Sequence, residues 1–237
     1  MSERPFFTLE RTFIPPVELD PGRLGLVVVD MQYNDASVDE GFGLALGRME
    51  PGSMDYFNER NETTVVPGIT RLVEGCRARD VPIVYVCVGS DYRDLRDLPA
   101  RHRQWIRTIE QESGVEDILW SGSHCYRVRE EFSPRESDTV VKKTAFGAFT
   151  SSTLDETLRS MGLEQLVVVG IATNCCVSTT VRDAADLGYG CVIVEQCTGD
   201  YDPQTHEVAI RGLYFNFARV VLTVDEMLAA IDERRAV

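Results

Sequence analysis

Six short runs rich in β-branched residues punctuate the chain: 24–29 (LGLVVV), 81–88 (VPIVYVCV), 139–141, 166–169, 191–194 and 219–223. Each is too short for a buried helix and too continuously apolar for a half-exposed strand, so the runs read as strands covered on both faces. Helical patterns fall at 66–79, 153–161, 177–187, 203–216 and 225–234. Strand alternating with helix implies right-handed crossovers and an α/β fold. The expected architecture is a Rossmann-like, three-layer αβα sandwich around a six-stranded, mostly parallel sheet. Gly162, Gly188 and Gly199 sit where helices or strands should stop, and Ser152 and Asp225 where helix N-caps should stand.

No linker, repeat or low-complexity segment divides the 237 residues, so one domain over 1–237 is expected. Three parts stand outside the alternation: an N-terminal arm (1–20) and insertions at 34–60 and 89–137. Insertions that follow the first two strands of a parallel sheet emerge at its C-terminal edge, where ligands bind. They are candidate lids or subunit contacts.

Charge and cysteine content narrow the function classes. A formal net charge of −14 argues against nucleic acid or an anionic membrane as the main partner. The 7 cysteines show neither a disulfide framework nor a metal-knuckle spacing, which fits a reducing cytosol. The opening MSERPFFTLERTFIPP lacks the pattern of a signal peptide, and no apolar run approaches the roughly 20 residues of a membrane span. A cytoplasmic protein acting on a small molecule is expected.

Three polar residues stand at the ends of expected strands: Asp30, Lys143 and Cys176. In a parallel sheet they converge on one crevice. Cys176 also falls where strand turns into helix, and unpaired N–H groups at a helix start favour a thiolate. The histidines are less well placed. His102 and His124 lie in the second insertion and His206 in a helix expected at the surface, so all three read as exposed or capping residues. An aspartate beside a lysine can accept a thiol proton in place of histidine.

Three blocks carry a family resemblance: LVVVDMQYND, VVKKTAFGAFTSSTLDETL and VVVGIATNCCVSTTVRDAADLGY. Together they resemble the isochorismatase-like cysteine hydrolases. The resemblance implies that Asp30, Lys143 and Cys176 form a catalytic triad, with Lys142 a solvated neighbour and Cys175 a packing residue. It implies a cis peptide at Ile171–Ala172, an oxyanion hole made by the N–H groups of Ala172 and Cys176, and no cofactor. Nicotinamidases of the family hold a metal through an Asp and histidines after the second strand. Here VGSDYRDLRDLPARHRQW offers Asp91 but no Asp-x-His pattern, and His102 alone makes no site, so no metal is expected. Family members are commonly dimers or tetramers, which makes a homodimer or homotetramer the expectation, with the arm 1–20 a candidate contact.

Gln32, Tyr33, Asn34, Phe146 and Asn174 neighbour the triad and are candidate substrate contacts, while Phe42, Tyr56, Phe57 and Trp105 are placed to close the pocket from the insertions. Asn174 matches a Thr-Asn pair of the family's ureido-cleaving branch. The expected reaction is hydrolysis of a carbon–nitrogen bond in a small amide, carbamoyl or ureido compound through a thioester. Two alternatives stay open: hydrolysis of an isochorismate-like vinyl ether with Cys176 a bystander, and a non-catalytic binding protein on the same fold.

Overall fold

The computed structural model describes residues 17–235, in which the apolar runs pair into one six-stranded sheet. Its strands are β1 (Leu24–Val29), β2 (Ile83–Val88), β3 (Thr139–Lys143), β4 (Gln165–Ile171), β5 (Gly190–Gly199) and β6 (Ala218–Val221). They lie in the order β3-β2-β1-β4-β5-β6, and every neighbouring pair is parallel. The helices are α1 (Tyr33–Ala36), α2 (Gly41–Met49), α3 (Asp55–Arg60), α4 (Val66–Arg77), α5 (Ala100–Ser113), α6 (Leu154–Ser160), α7 (Ser178–Asp186), α8 (Pro203–Asn216) and α9 (Val224–Arg235).

Successive side chains of a strand point to opposite faces, so a doubly covered sheet must split its residues between two cores. Leu24, Leu26 and Val28 of β1 join Ile83, Tyr85, Val167, Val169 and Val192 beneath α4 and α9. Val27 and Val29 join Val84, Val86, Leu166, Val168 and Ile193 beneath α6, α7 and α8. This two-sided burial is what makes the alternation of the sequence an αβα sandwich.

The insertions are not loose loops. Phe42 and Ala45 of α2 pack with Val88, Leu98, Ile106 and Ile109 in a third, smaller core that ties the first insertion to α5 of the second. The two residues expected as N-caps fare differently. Ser152 Oγ does accept from the Leu154 N–H at 3.1 Å, but α9 is capped by Thr223, whose Oγ1 accepts from the Glu226 N–H at 3.2 Å. Asp225 instead pairs with Arg71 on the exposed surface.

Of the arm, residues 1–16 lie outside the described part, so its expected packing on a neighbour does too. Residues 18–20 are tied to the start of β4 by Gln165, which accepts from the Asp20 N–H at 2.7 Å and donates to Glu18 O at 2.6 Å. Among the described residues, no helix is long and apolar enough to cross a membrane.

Candidate active site

The strand order reverses between β1 and β4: β2 and β3 are laid down on one side of β1, and β4, β5 and β6 on the other. Chains leaving the C-terminal ends of β1 and β4 diverge there and open a crevice. The strands close tightly just below it. Gly170 has φ +116° and lies so near β1 that a Cβ would sit 2.0 Å from Val29 O, so only glycine fits. Across from it, β1 ends in Asp30 at φ 52°, a left-handed conformation that costs a non-glycine residue energy and is held by the surrounding bonds.

Asp30, Lys143 and Cys176 meet in this crevice. Lys143 Nζ lies 2.8 Å from Asp30 Oδ2, donates to Ala145 O at 2.8 Å and points at Cys176 Sγ at 3.4 Å. The two charged side chains are 0% and 2% exposed. Asp30 Oδ1 accepts from the Val88 N–H at 3.0 Å. Oδ2, by contrast, receives no well-aligned hydrogen bond despite its closeness to the ammonium, so a lone pair remains for another proton. The Cys176 thiol neighbours this carboxylate.

Burial and neighbouring groups together shift all three. For Asp30 it raises the pKa above the usual carboxylate range, against the pull of Lys143 and the bond from Cys176. For Lys143 it works downward, but Asp30 and the Cys176 sulfur outweigh it and the ammonium pKa is raised. Cys176 is pushed well up by its hydrogen bond with Cys175, by burial and by Asp30, with Lys143 opposing. The sequence argued for a resting thiolate at a helix start. In the site, the bond to Cys175 and burial work against that thiolate, while burial raises the basicity of the Asp30 carboxylate.

Cys176 rides on a single π-helical turn, Thr173–Val177, that runs directly into α7. Such turns inside helices occur often at functional sites. The peptide bond Ile171–Ala172 before it is cis, at the bond the resemblance pointed to. Ala172 O accepts from the N–H groups of Cys175 (3.0 Å) and Val177 (3.2 Å), fixing the base of the turn. Its outer side is held by the end of β5: Thr173 Oγ1 donates to Gly199 O at 2.9 Å, and Asp200 Oδ2 accepts from the Asn174 N–H at 2.5 Å.

The five candidate substrate contacts separate into three groups. Gln32 and Asn34 are fully enclosed. Gln32 accepts from the Val88 N–H at 2.8 Å and donates to Val88 O and Tyr126 O, which uses both of its amide hydrogens. Asn34 donates to Asp35 and accepts from the Leu119 N–H. Gln32 ties β2 to the second insertion and Asn34 ties the first insertion to the second, so both amides are engaged within the protein. Tyr33 faces a separate cavity of about 380 Å³ lined by Cys87, Tyr126, Val128 and Val140, with none of Asp30, Lys143 or Cys176 in its wall. Phe146 and Asn174 are the exposed ones.

Phe146 belongs to a run of rings along the crevice. Phe57 stacks on Tyr201 (5.2 Å between centroids), Tyr201 neighbours Phe42 (6.4 Å), Phe42 meets Trp105 edge-on (5.1 Å), and Trp105 and His102 both reach Phe146 (6.5 and 4.2 Å). Three of the four aromatics expected to close the pocket are in this run, and Tyr56 is half-buried on α3. The run also includes residues that sequence reasoning passed over. Tyr201 has its hydroxyl pKa raised first by burial and then by Asp35 and Cys176. Asp35 is carried up to about 7 by burial and by the charge of Asp30. Asp35 lies inside the first insertion, and Tyr201 lies well past the apolar run 191–194 that marked β5 in the sequence.

The remaining expectations are placed as follows. Lys142 is a surface neighbour, as expected, paired with Asp91. Cys175 is half-buried and hydrogen-bonded to Cys176, so it is a direct partner of that thiol and not simply a packing residue. His124 is exposed and faces Glu40 at 2.8 Å. His206, expected at the surface, is 5% exposed.

A family model described as the isochorismatase domain matches residues 25–226. The ureidoacrylate amidohydrolase RutB of Pseudomonas savastanoi pv. phaseolicola is 30% identical over 217 residues, covering 89% of this chain and 84% of that protein. RutB of Variovorax paradoxus is 30% identical over 219 residues, covering 90% and 83%. Among solved structures, a cysteine hydrolase from Pseudomonas syringae pv. phaseolicola superposes with a TM-score of 0.72 at 22% identity, covering 94% of this chain and 99% of that one, a likeness of fold. The family match runs from β1 into α9 and takes in the crevice with Asp30, Lys143 and Cys176, so the chain belongs to the isochorismatase family of hydrolases.

Proposed function

We propose that the protein hydrolyses a carbon–nitrogen bond of a small amide, carbamoyl or ureido compound, with Cys176 as nucleophile, Asp30 as proton carrier and Lys143 as the cation that holds them together. The observation that carries this reading is the buried contact of Lys143 with both Asp30 (2.8 Å) and Cys176 (3.4 Å). A lysine enclosed with one carboxylate and one thiol offsets the charge that arises when the proton moves from sulfur to Asp30. Asp30, its basicity raised by burial, takes that proton as the sulfur attacks the carbonyl carbon. The C–N bond breaks, Asp30 returns the proton to the departing nitrogen, and ammonia or an amine leaves. Water, activated by Asp30, then cleaves the thioester and restores the thiol.

The main-chain N–H groups of Ala172 and Cys176 are assigned to the developing oxyanion, where one donor is worth about 3 kcal/mol. The ureido-cleaving names of the relatives, which match along most of this chain, favour a carbamoyl or ureido substrate. The aromatic run from Phe57 to His102 would cover the apolar part of that substrate.

The test is a screen of amides, N-carbamoyl amino acids and ureido acids for ammonia release by the wild-type chain and by Cys176→Ala. Turnover by wild type and a loss of about 10³-fold or more in the variant are expected. Undiminished turnover by the variant would sink the covalent route.

A further inference from the structure

His206 lies outside the proposed triad, yet its ring is enclosed and bonded at both nitrogens. Nδ1 is 2.9 Å from Thr173 Oγ1. Nε2 is 2.9 Å from Glu195 Oε1 and 2.9 Å from Arg60 Nη2. Arg60 in turn reaches Glu195 Oε1 at 2.7 Å and donates to Thr198 O. Thr173 opens the π-helical turn that presents Cys176.

Local structure explains how these groups come together. Asp202 caps α8 by accepting from the Thr205 N–H at 2.9 Å, and Pro203 starts its first turn. His206 then falls one turn in, on the face that also buries Ala209, Ile210 and Leu213. On β5, a bulge places residues 194–197 opposite Val169 alone and directs Glu195 toward His206.

The hydrogen bonds fix the ring's proton. Gly199 O can only accept, so the single Thr173 hydroxyl proton goes to it at 2.9 Å. The hydroxyl oxygen is then an acceptor, and Nδ1 must carry the proton that joins it to His206. Nε2 faces a carboxylate and a guanidinium, either of which it can engage.

We propose that His206 is a positioning residue, which through its Nδ1–H bond to Thr173 fixes the turn that carries Cys176. It touches neither substrate nor sulfur. Its part is to keep Sγ aimed at Lys143 and the incoming carbonyl, where a misplacement of about 1 Å can cost about 10²-fold in rate. The proposal rests on Cys176 being the reactive thiol.

Two measurements test it. Long-range proton–nitrogen NMR of the folded wild-type protein should show His206 protonated at Nδ1; a neutral ring protonated only at Nε2 overturns the proposal whatever the reaction is. The rate of Cys176 alkylation by iodoacetamide, read by peptide mass spectrometry with the melting temperature recorded alongside, tests its consequence. Asparagine carries its amide nitrogen at the reach of Nδ1, and glutamine at that of Nε2. His206→Asn should therefore alkylate within about twofold of wild type, while His206→Ala, His206→Gln and Thr173→Val slow about 10-fold. The double variant H206A/T173V should be no slower than either single one. Equal slowing of H206N and H206Q, or a wild-type rate in T173V, overturns the proposal. Loss of Cys176 reactivity in wild type itself, with Nδ1 protonated, would count against the cysteine reaction and leave the Thr173 bond standing.

Discussion

On the β1–β3 side of the crevice, Asp30 and Lys143 are held by charge. Each ends a strand, both are enclosed, and each is the other's counter-ion at 2.8 Å. On the β4–β5 side, Cys176 is held by geometry: a turn pinned through Thr173, Asn174 and Ala172 to Gly199, Asp200 and, by way of its hydroxyl, His206. The first side sets where the proton rests and the second where the sulfur points. Damage to them should therefore look different, the one altering protonation, the other altering the rate at which the sulfur reacts.

The largest effect is expected on the charged side. Lys143→Met leaves Asp30 buried without its cation, which should destabilise the fold by about 3 to 5 kcal/mol and abolish turnover. Adding Asp30→Asn should recover most of that stability in denaturant melts and none of the activity. A double variant as unstable as K143M alone would mean that Lys143 contributes by packing and not by charge. The changes at His206 and Thr173 come next, slowing Cys176 about 10-fold.

Two pH effects sharpen the contrast further. In the proposed mechanism Asp30 acts ionised and burial raises its pKa, so kcat/KM should fall as pH drops and the limb should lie above the ordinary aspartate value of about 3.9. A limb at or below that value would place the proton acceptor elsewhere. Asp35, carried up to about 7, acts on stability. The folded chain keeps a proton on Asp35 that the unfolded chain has released, so stability should decline as pH rises from about 4 to about 7. Asp35→Asn should flatten that decline. An unchanged slope would show that Asp35 is solvated in the folded protein.

Legibility in the sequence followed the same division. The strands announced themselves because residues such as Val27 and Val28 are apolar on both faces, and Asp30 and Lys143 stood out as charges at the ends of such runs. Residues that act through a network gave no such mark. Gln32 and Asn34 looked like pocket residues by their nearness to Asp30, but main-chain groups from distant segments consume them. His206 did carry a signal, the spacing of 206, 209, 210 and 213 that marks one buried helix face, yet its partners Glu195 and Thr173 come from other elements. Asp35 is raised by burial and by the charge of Asp30, which no local pattern encodes.

The central claim is that Cys176 bonds to the substrate carbonyl. It is tested most directly by acid-quenching the wild-type enzyme during turnover of an amide or ureido compound it hydrolyses and mapping the peptides by mass spectrometry. An acyl or carbamoyl mass on the peptide bearing Cys176, absent without substrate, is the expected result. That mass on another residue, or on Cys175 in place of Cys176, would contradict the claim.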